Sequence, residues 1–386
     1  MALFETPSKS PVERVRAASG RVASAPGTWV LIGENVDHFG GVTLVGTSSL
    51  RAAAAVSPRT DGVISVAARG PLGQEFSAQL PYSDEPADGL ARRWWGLVHT
   101  LVQRQVLSRD TSGMDITVES DVPVGAGLGA LYAADAAIAL ALAGEHDDVD
   151  TAPFRARLAE ICSHAVATYS SQPVLRARHS VALRGAEGVS VVDYADGSLT
   201  QAPHPSRHGV RVFSVSKELG APFTQSREAI AERRAFIDAA CSNFGVSSLR
   251  QLPDAPARAV QWVEARRAAG DTNAPEPEAA RRWVTFCESE TLRSLAAAKA
   301  LRSRRANELF TLLNSPSEAH DLASPDALVA LARKRGAVAA RPAAIGTSDA
   351  VIAFVPVQEA DSFAAAMARE FEVVEVAAGE PARLEG

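Results

Sequence analysis

Pro123-Val124-Gly125-Ala126-Gly127-Leu128-Gly129-Ala130-Leu131-Tyr132-Ala133-Ala134 carries more information than any other segment of this chain. From Gly129 to Leu142 the residues are Ala, Leu and Ile almost throughout, with Tyr132 and Asp135 as the polar exceptions. That composition predicts a buried helix. A glycine turn that runs into a helix leaves the first backbone N–H groups without intrahelical acceptors, at the positive end of the dipole, and so offers them to an anion. Gly125, Gly127, Gly129, Ala130 and Leu131 therefore have the outline of a phosphate loop. Its chemistry is depleted, because Gly129, Ala130 and Leu131 bring no side-chain oxygen to a phosphate or a metal.

Working outward, 114–119 reads as a short strand entering the loop. Residues 92–106 have helical spacing, with Trp95, Leu97, Val98, Leu101 and Val102 apolar. Residues 28–32 and 42–48 read as strands paired around Gly40-Gly41, and 51–56 and 63–68 continue the strand pattern. Beyond the loop, 152–169 is a second helix with Phe154, Leu158, Ile161, Cys162 and Ala165 on one stripe, and 189–193 is a strand. Pro203-His204-Pro205-Ser206 breaks the chain, which gives domains at 1–204 and 205–386. The second half reads as a strand at 210–216, helices near 226–243, 254–268, 277–302 and 326–335, a strand at 350–355, a helix at 361–370 and a final strand at 372–376. Residues 269–276 read as a surface loop. The mixed order of strands and helices predicts an α+β fold.

With 386 residues the chain has ample length for a core, and two domains are the default. A net charge of −6 leaves no electrostatic footprint for nucleic acid. Cys162, Cys241 and Cys287 are too scattered for a disulfide framework or a zinc site. The start of the chain has no signal-peptide apolar core, and 122–143 contains glycines, a proline and Asp135, so it reads as loop plus buried helix rather than a membrane span. His204 and His208, four apart but separated by Pro205, read as a surface loop.

The Pro-x-Gly-x-Gly-Leu frame resembles the second motif of the GHMP small-molecule kinases, Pro-x-x-x-Gly-Leu-Ser-Ser-Ser-Ala-Ala. Residues 26–41, Pro-Gly-Thr-Trp-Val-Leu-Ile-Gly-Glu-Asn-Val-Asp-His-Phe-Gly-Gly, resemble the galactokinase signature Gly-Arg-Val-Asn-Leu-Ile-Gly-Glu-His-Thr-Asp-Tyr-Asn-Gly-Gly. Residues 336–355 fit the third motif in order and spacing. The resemblance spans nearly the whole chain. It implies a two-domain GHMP kinase fold, with a mixed-sheet N-terminal domain, a ferredoxin-like C-terminal domain and a cleft between them for sugar and nucleotide. The reaction it implies is ATP-dependent phosphorylation of galactose at the anomeric hydroxyl.

The family's functional positions carry over unevenly. Glu34 and Asp37, with Asn35 between them, match sugar contacts; the alternative is that the two carboxylates brace the turn at Gly40-Gly41. The family's catalytic Asp corresponds to Ser171, beside a retained Gln172, and its charge-stabilising Arg corresponds to Thr28; Arg21, seven positions before Thr28, is a poor substitute. A serine hydroxyl cannot replace a carboxylate base near neutrality. The metal-binding serines correspond to Gly129, Ala130 and Leu131, which leaves Asp135 as a remnant metal contact or a plain helix-face carboxylate. In the third motif Arg341 and Gly346 keep the pattern. Pro342 and Ile345 replace glycine geometry there, and Asp349 is expected to add negative charge near the phosphates. No catalytic residue is intact by this count.

The resemblance therefore implies a galactokinase homologue that has lost phosphoryl transfer, a pseudoenzyme that retains at most sugar or regulatory binding. Two alternatives stand beside it: an altered sugar kinase using ATP and Mg²⁺ with relocated groups, and a structural or interaction protein with a vestigial cleft. No cofactor is expected under the first reading. The expected partners are a small sugar and an unidentified protein, with no nucleic acid and no membrane, in the cytoplasm.

Overall fold

The computed structural model describes residues 4–220, 226–316 and 322–386. Residues 1–3, part of the start discussed above, lie outside these. The first half opens with the short helix α1 (Pro11–Val15), capped by Ser10, and the long strands β1 (Arg21–Ile32) and β2 (Val42–Pro58). These pair antiparallel, Thr28 opposite Thr47 and Ile32 opposite Leu44, around the turn that carries Glu34, Asn35 and Asp37. Gly41 N–H bonds Val36 O and Gly40 N–H bonds Asp37 O, which closes that turn with its own backbone.

β3 (Val63–Arg69), β4 (Glu75–Pro81), helix α2 (Gly89–Gln103) and β5 (Met114–Ser120) follow. Then come α3 (Ala130–Ala143), α4 (Ala152–Tyr169), α5 (Arg176–Arg184), β6 (Val189–Asp193) and β7 (Leu199–Ala202). The sheet order is β1-β2-β5-β3-β4, with β6 paired to β2 and β7 to β6. β3 and β5 run parallel while the other pairs are antiparallel, so the sheet is mixed. α3 packs across β1 and β2, and every residue from Ala133 to Ala143 is buried. Small residues on both sides permit this approach: Ala23 and Ala25 on β1 and Ala52 and Ala54 on β2 are all buried in the same cluster as α3.

The second half starts with β8 (Val210–Ser216) and proceeds through α6 (Arg227–Phe244), α7 (Ala255–Ala268), α8 (Pro277–Arg302), α9 (Ala306–Asn314) and α10 (Asp326–Lys334). It ends with β9 (Ala339–Pro342), β10 (Val351–Pro356), α11 (Ala360–Met367), β11 (Glu372–Glu375) and β12 (Arg383–Glu385). β11-β8-β10-β9 form an antiparallel four-stranded sheet. That 4-1-3-2 order, with helices between its first and second and its third and fourth strands, is the ferredoxin-like arrangement. β12 returns to the first sheet and pairs with β1. The architecture is thus α+β, with a mixed sheet and a four-stranded antiparallel sheet.

The structure differs from the sequence reading in several places, two of which lie near the site. α5 was not expected, because Arg176-Ala-Arg-His-Ser-Val-Ala-Leu-Arg is polar by composition, yet Ala177 to Leu183 are all buried. His204 was expected on a surface loop; it is buried beside Trp29, accepts Ser206 N–H, and begins a 3₁₀ turn at Pro205–His208. Among the described residues no helix is long and apolar enough to cross a membrane.

Candidate functional site

The glycine loop turns into α3 with Gly125, Gly127 and Gly129 all at positive φ. Two of these positions admit no side chain. A Cβ on Gly127 would lie 2.4 Å from Ala343 Cβ, and one on Gly129 would lie 2.8 Å from both Arg178 Nη1 and Thr28 Oγ1. The loop's carbonyls are engaged by the protein. Gly220 N–H donates to Val124 O, Ser214 Oγ to Ala126 O, Arg178 Nη2 to Gly127 O and Thr28 N–H to Leu128 O. Gly129, the N-cap of α3, has no side-chain cap. Among the described residues the N–H groups of Ala130, Leu131 and Tyr132 have no acceptor in the protein.

These N–H groups border a cleft of about 130 Å³. One wall is the loop and the start of α3, another is Gln172, Pro173, Leu175 and Arg178, and the third is Ala344, Thr347 and Ser348 from the hairpin between β9 and β10. Ser171 is exposed and does not line the cleft; its neighbour Gln172 does. Asp349, expected near the phosphates, is likewise absent from the lining, because successive residues of this extended segment face opposite ways and Ser348 and Ala350 are the ones turned to Gly127. Arg21 bonds Ala141 O and Glu145, at the far end of β1, about 23 Å along the strand from Thr28.

Asp135 sits one turn into α3 and is 1 % exposed. Arg93 of α2 meets both carboxylate oxygens, with Nε 3.0 Å from Oδ1. Trp94 Nε1–H donates to Oδ1 at 3.0 Å, and His179 Nε2 lies 3.0 Å from Oδ2. Despite its burial, the carboxyl is held at a pKa of about 2, because the Arg93 charge and the His179 and Arg93 hydrogen bonds outweigh desolvation. Burial pushes the His179 pKa down, so the imidazole is neutral. A carboxylate only accepts, so Nε2 carries the proton and Nδ1 accepts from Ser163 Oγ, 3.1 Å away. The Ser163–His179–Asp135 chain has the connectivity of a nucleophilic triad, but Ser163 is buried and faces neither the cleft nor the smaller cavity described below.

Arg178, on α5, comes to rest on Thr28. Nη1 donates to Thr28 O and lies 3.4 Å from Thr28 Oγ1, while Nη2 reaches Gly127 O at 2.9 Å. Arg93 and Arg178 both lie within 6 Å of the Tyr132 ring centroid, an arrangement that favours two cations over one aromatic face system.

Glu34, Asn35 and Asp37 surround a second, smaller cavity with Tyr194, Leu175 and Arg178. Its volume is about 10 Å³, enough for one water. Asp37 is ion-paired with Arg234 Nη2 at 3.2 Å, and the same nitrogen bonds Val174 O. Glu34 lies 3.7 Å from Arg341 Nη2. Arg341 in turn pairs with Glu290 of α8 at 3.0 Å, and Gly33 N–H donates to the same Glu290 oxygen. Burial raises the Glu34 pKa, with Glu290 adding to the rise and Arg341 opposing it. Asn35 has φ +59° and donates its amide to Ile345 O, 3.0 Å away. Among the described residues Glu34 Oε1 and Asn35 Oδ1 are buried without a hydrogen-bond partner. Gly346, retained from the third motif, takes φ +80° and packs on Ser226 and Ile230.

A family model described as the galactokinase galactose-binding signature matches residues 13–58. A galactokinase of Streptomyces coelicolor is 27% identical over 288 residues, covering 72% of this chain and 71% of that protein. A galactokinase of Bos taurus is 27% identical over 180 residues, covering 46% and 45%. Among solved structures, Lactococcus lactis galactokinase complexed with galactose superposes with a TM-score of 0.74 at 17% identity, over 94% of each chain.

The chain is similar to galactokinases and has the fold of the GHMP kinases.

Methanococcus jannaschii mevalonate kinase shares the fold at a TM-score of 0.54 and 12% identity, over 96% of this chain and 99% of that one. The GHMP fold implies Mg²⁺ with a nucleotide, and the residues here do not fit the metal. Both Asp135 oxygens are taken by guanidinium, indole and imidazole donors, and Gly129, Ala130 and Leu131 supply no side-chain oxygen. Among the described residues no group of three or more His, Cys, Asp or Glu is arranged to hold a metal ion. Three contributors to this galactokinase-like site escaped the sequence reading: Arg93, Arg178 and Glu290. Arg93 and Arg178 lie 42 and 43 positions from Asp135, on opposite sides of it, and Glu290 lies 256 positions from Glu34, so no local spacing links them.

Proposed function

We propose that this chain is a galactokinase homologue that no longer transfers a phosphoryl group and that persists as a binding protein. The observation that carries the reading is Arg93 on Asp135: the carboxylate beside the glycine loop already has a guanidinium partner where a metal would need it. The exposure of Ser171 away from the cleft supports it, since no base stands at the position the family alignment designates. The three free cysteines accord with a cytoplasmic setting. Residues 1–204 and 205–386 are taken as the two units that wall the cleft.

The ligand proposed for the smaller cavity is a sugar. Glu34 Oε1 and Asn35 Oδ1 are buried acceptors awaiting donors, and unpaired buried acceptors cost about 1–3 kcal/mol each. A hexose hydroxyl would satisfy them, though only if the Leu175–Arg178 wall moves, given the present 10 Å³. One observation favours the altered-kinase reading: Arg178 stands on Thr28, so a cation is present beside the position from which the family's arginine is missing. The vestigial-cleft reading draws on the same small volume. A galactose phosphorylation assay with ATP and Mg²⁺, run beside a thermal-shift titration with galactose, separates the three. Binding without turnover supports the proposal, turnover supports the altered kinase, and neither supports a vestigial cleft.

A further inference from the structure

We propose that Tyr132 determines what the smaller cavity admits: its hydroxyl clamps residues 173–175, in the wall between that cavity and the glycine-loop cleft, and a sugar enters only when the clamp opens. The inference rests on the reading of the smaller cavity as a sugar site.

The wall is a single layer of chain. Leu175 and Arg178 border both cavities, Gln172 and Pro173 line the cleft, and Ala177 lines the smaller cavity. Residues 170–175 join α4 to α5 with no helix or strand of their own, so side chains from other elements hold their backbone in place. Tyr132 Oη donates to Pro173 O at 3.3 Å and accepts Leu175 N–H at 2.9 Å. One hydroxyl thus spends both its donor and its acceptor capacity on the wall. Tyr194, which lines the smaller cavity, accepts Ala177 N–H at 3.0 Å. Between these two anchors Arg234 Nη2 donates to Val174 O at 2.7 Å, and the same nitrogen lies 3.2 Å from Asp37 Oδ2. A sugar hydroxyl that takes Asp37 competes with the guanidinium that fastens Val174, so binding and opening favour each other.

The volumes require the wall to move. The smaller cavity has about 10 Å³, and the cleft on the other side of the wall has about 130 Å³. A hexose does not fit the first, and opening the wall joins the two. Apparent affinity is then the intrinsic affinity multiplied by the fraction of molecules that are open. The two bonds of Tyr132 exist only in the closed state, so their loss raises that fraction. One net hydrogen bond shifts such an equilibrium by about threefold to tenfold. The ring itself has separate anchors, with the Arg93 and Arg178 guanidinium carbons 5.4 and 5.7 Å from its centroid and the His179 ring 4.8 Å away. Tyr132→Phe therefore removes the clamp and keeps the packing.

The test compares the wild-type chain with Tyr132→Phe by amide hydrogen exchange and by calorimetric titration with galactose. Peptides covering 172–178 should exchange about threefold to tenfold faster in the variant, with those from β1, β2 and α8 unchanged. Galactose should bind the variant more tightly by the same factor, because both readouts follow the open fraction. A tyrosine that merely supports the fold gives the opposite sign in the titration: its loss loosens the protein generally and weakens binding. Unchanged exchange at 172–178, or a galactose affinity equal to or below that of wild type, overturns the proposal. Tyr132→Leu, which also lacks the hydroxyl and suits a helix, serves if Tyr132→Phe fails to fold. Failure of the sugar reading looks different: neither protein binds galactose, and exchange alone then decides whether Tyr132 holds the wall.

Discussion

Replacing Asp135 by Asn distinguishes a structural acceptor from a metal ligand. In the folded chain the Asp135 carboxyl titrates at about 2 against an ordinary value of 3.8. At about 1.4 kcal/mol per unit, that depression corresponds to roughly 2.5 kcal/mol of stability at pH 7. The amide retains an acceptor for Trp94 but leaves Arg93, 3 % exposed, without its counter-charge. Breaking a buried pair in this way typically costs about 3–5 kcal/mol. The expected loss at pH 7 is therefore about 2.5–5 kcal/mol, read from urea unfolding. The sign of the pH dependence follows from the lowered pKa: the stabilisation is fully present above the unfolded value of 3.8 and is lost as pH falls through about 2. The gap between wild type and variant should accordingly begin to narrow below pH 4. An Asp135→Asn protein as stable as wild type, but with a Mg²⁺-dependent ligand affinity abolished, would refute the assignment and restore the metal reading.

Two further outcomes follow from the same geometry. Burial raises the Glu34 pKa above 4.5, so the folded state holds a proton that the unfolded chain releases, and this group's contribution declines as pH rises from 4.5 through the raised value. Glu34→Gln should therefore gain stability relative to wild type as pH rises from 4.5 in denaturant titrations; a difference that stays flat above that value contradicts the burial argument. Gly127→Ala meets both positive φ and Ala343 Cβ at 2.4 Å, and should destabilise by about 2 kcal/mol or more, while Gly197→Ala, with positive φ but open space, should cost about 1 kcal/mol. Equal melting temperatures for these two variants would show that the hairpin does not press on the loop.

Much of the fold was legible because its elements obey local rules. β1 and β2 flank a glycine turn, α3 is nearly pure Ala, Leu and Ile, and α4, β6, β8 and α8 have the periods of buried elements. The misses have identifiable causes. α5 hides its burial behind Arg176, Arg178, His179 and Arg184: Arg178 is held by backbone carbonyls, neutral His179 by Asp135 and Ser163, and Arg176 reaches outward to Glu160. β4 is an edge strand whose alternation of Phe76, Ala78 and Leu80 was present but faces a half-exposed surface. α9 is only nine residues long and fully buries only Leu309 and Leu313, a single i,i+4 pair. In the site, Glu34, Asn35 and Asp37 could be named from one motif because a single turn carries them. Their partners Arg341, Glu290 and Arg234 come from three other elements. The cation on Asp135 was invisible for the same reason: charge pairing across elements depends on tertiary packing, which leaves no period in the sequence.

The central claim, loss of phosphoryl transfer, is tested most directly by following sugar phosphate formation from galactose with ATP and Mg²⁺. The account predicts no product above the protein-free background. Turnover near about 1 s⁻¹, the lower end of ordinary enzyme rates, that is abolished by Arg178→Gln would contradict it, and would make the guanidinium beside Thr28 part of a working kinase.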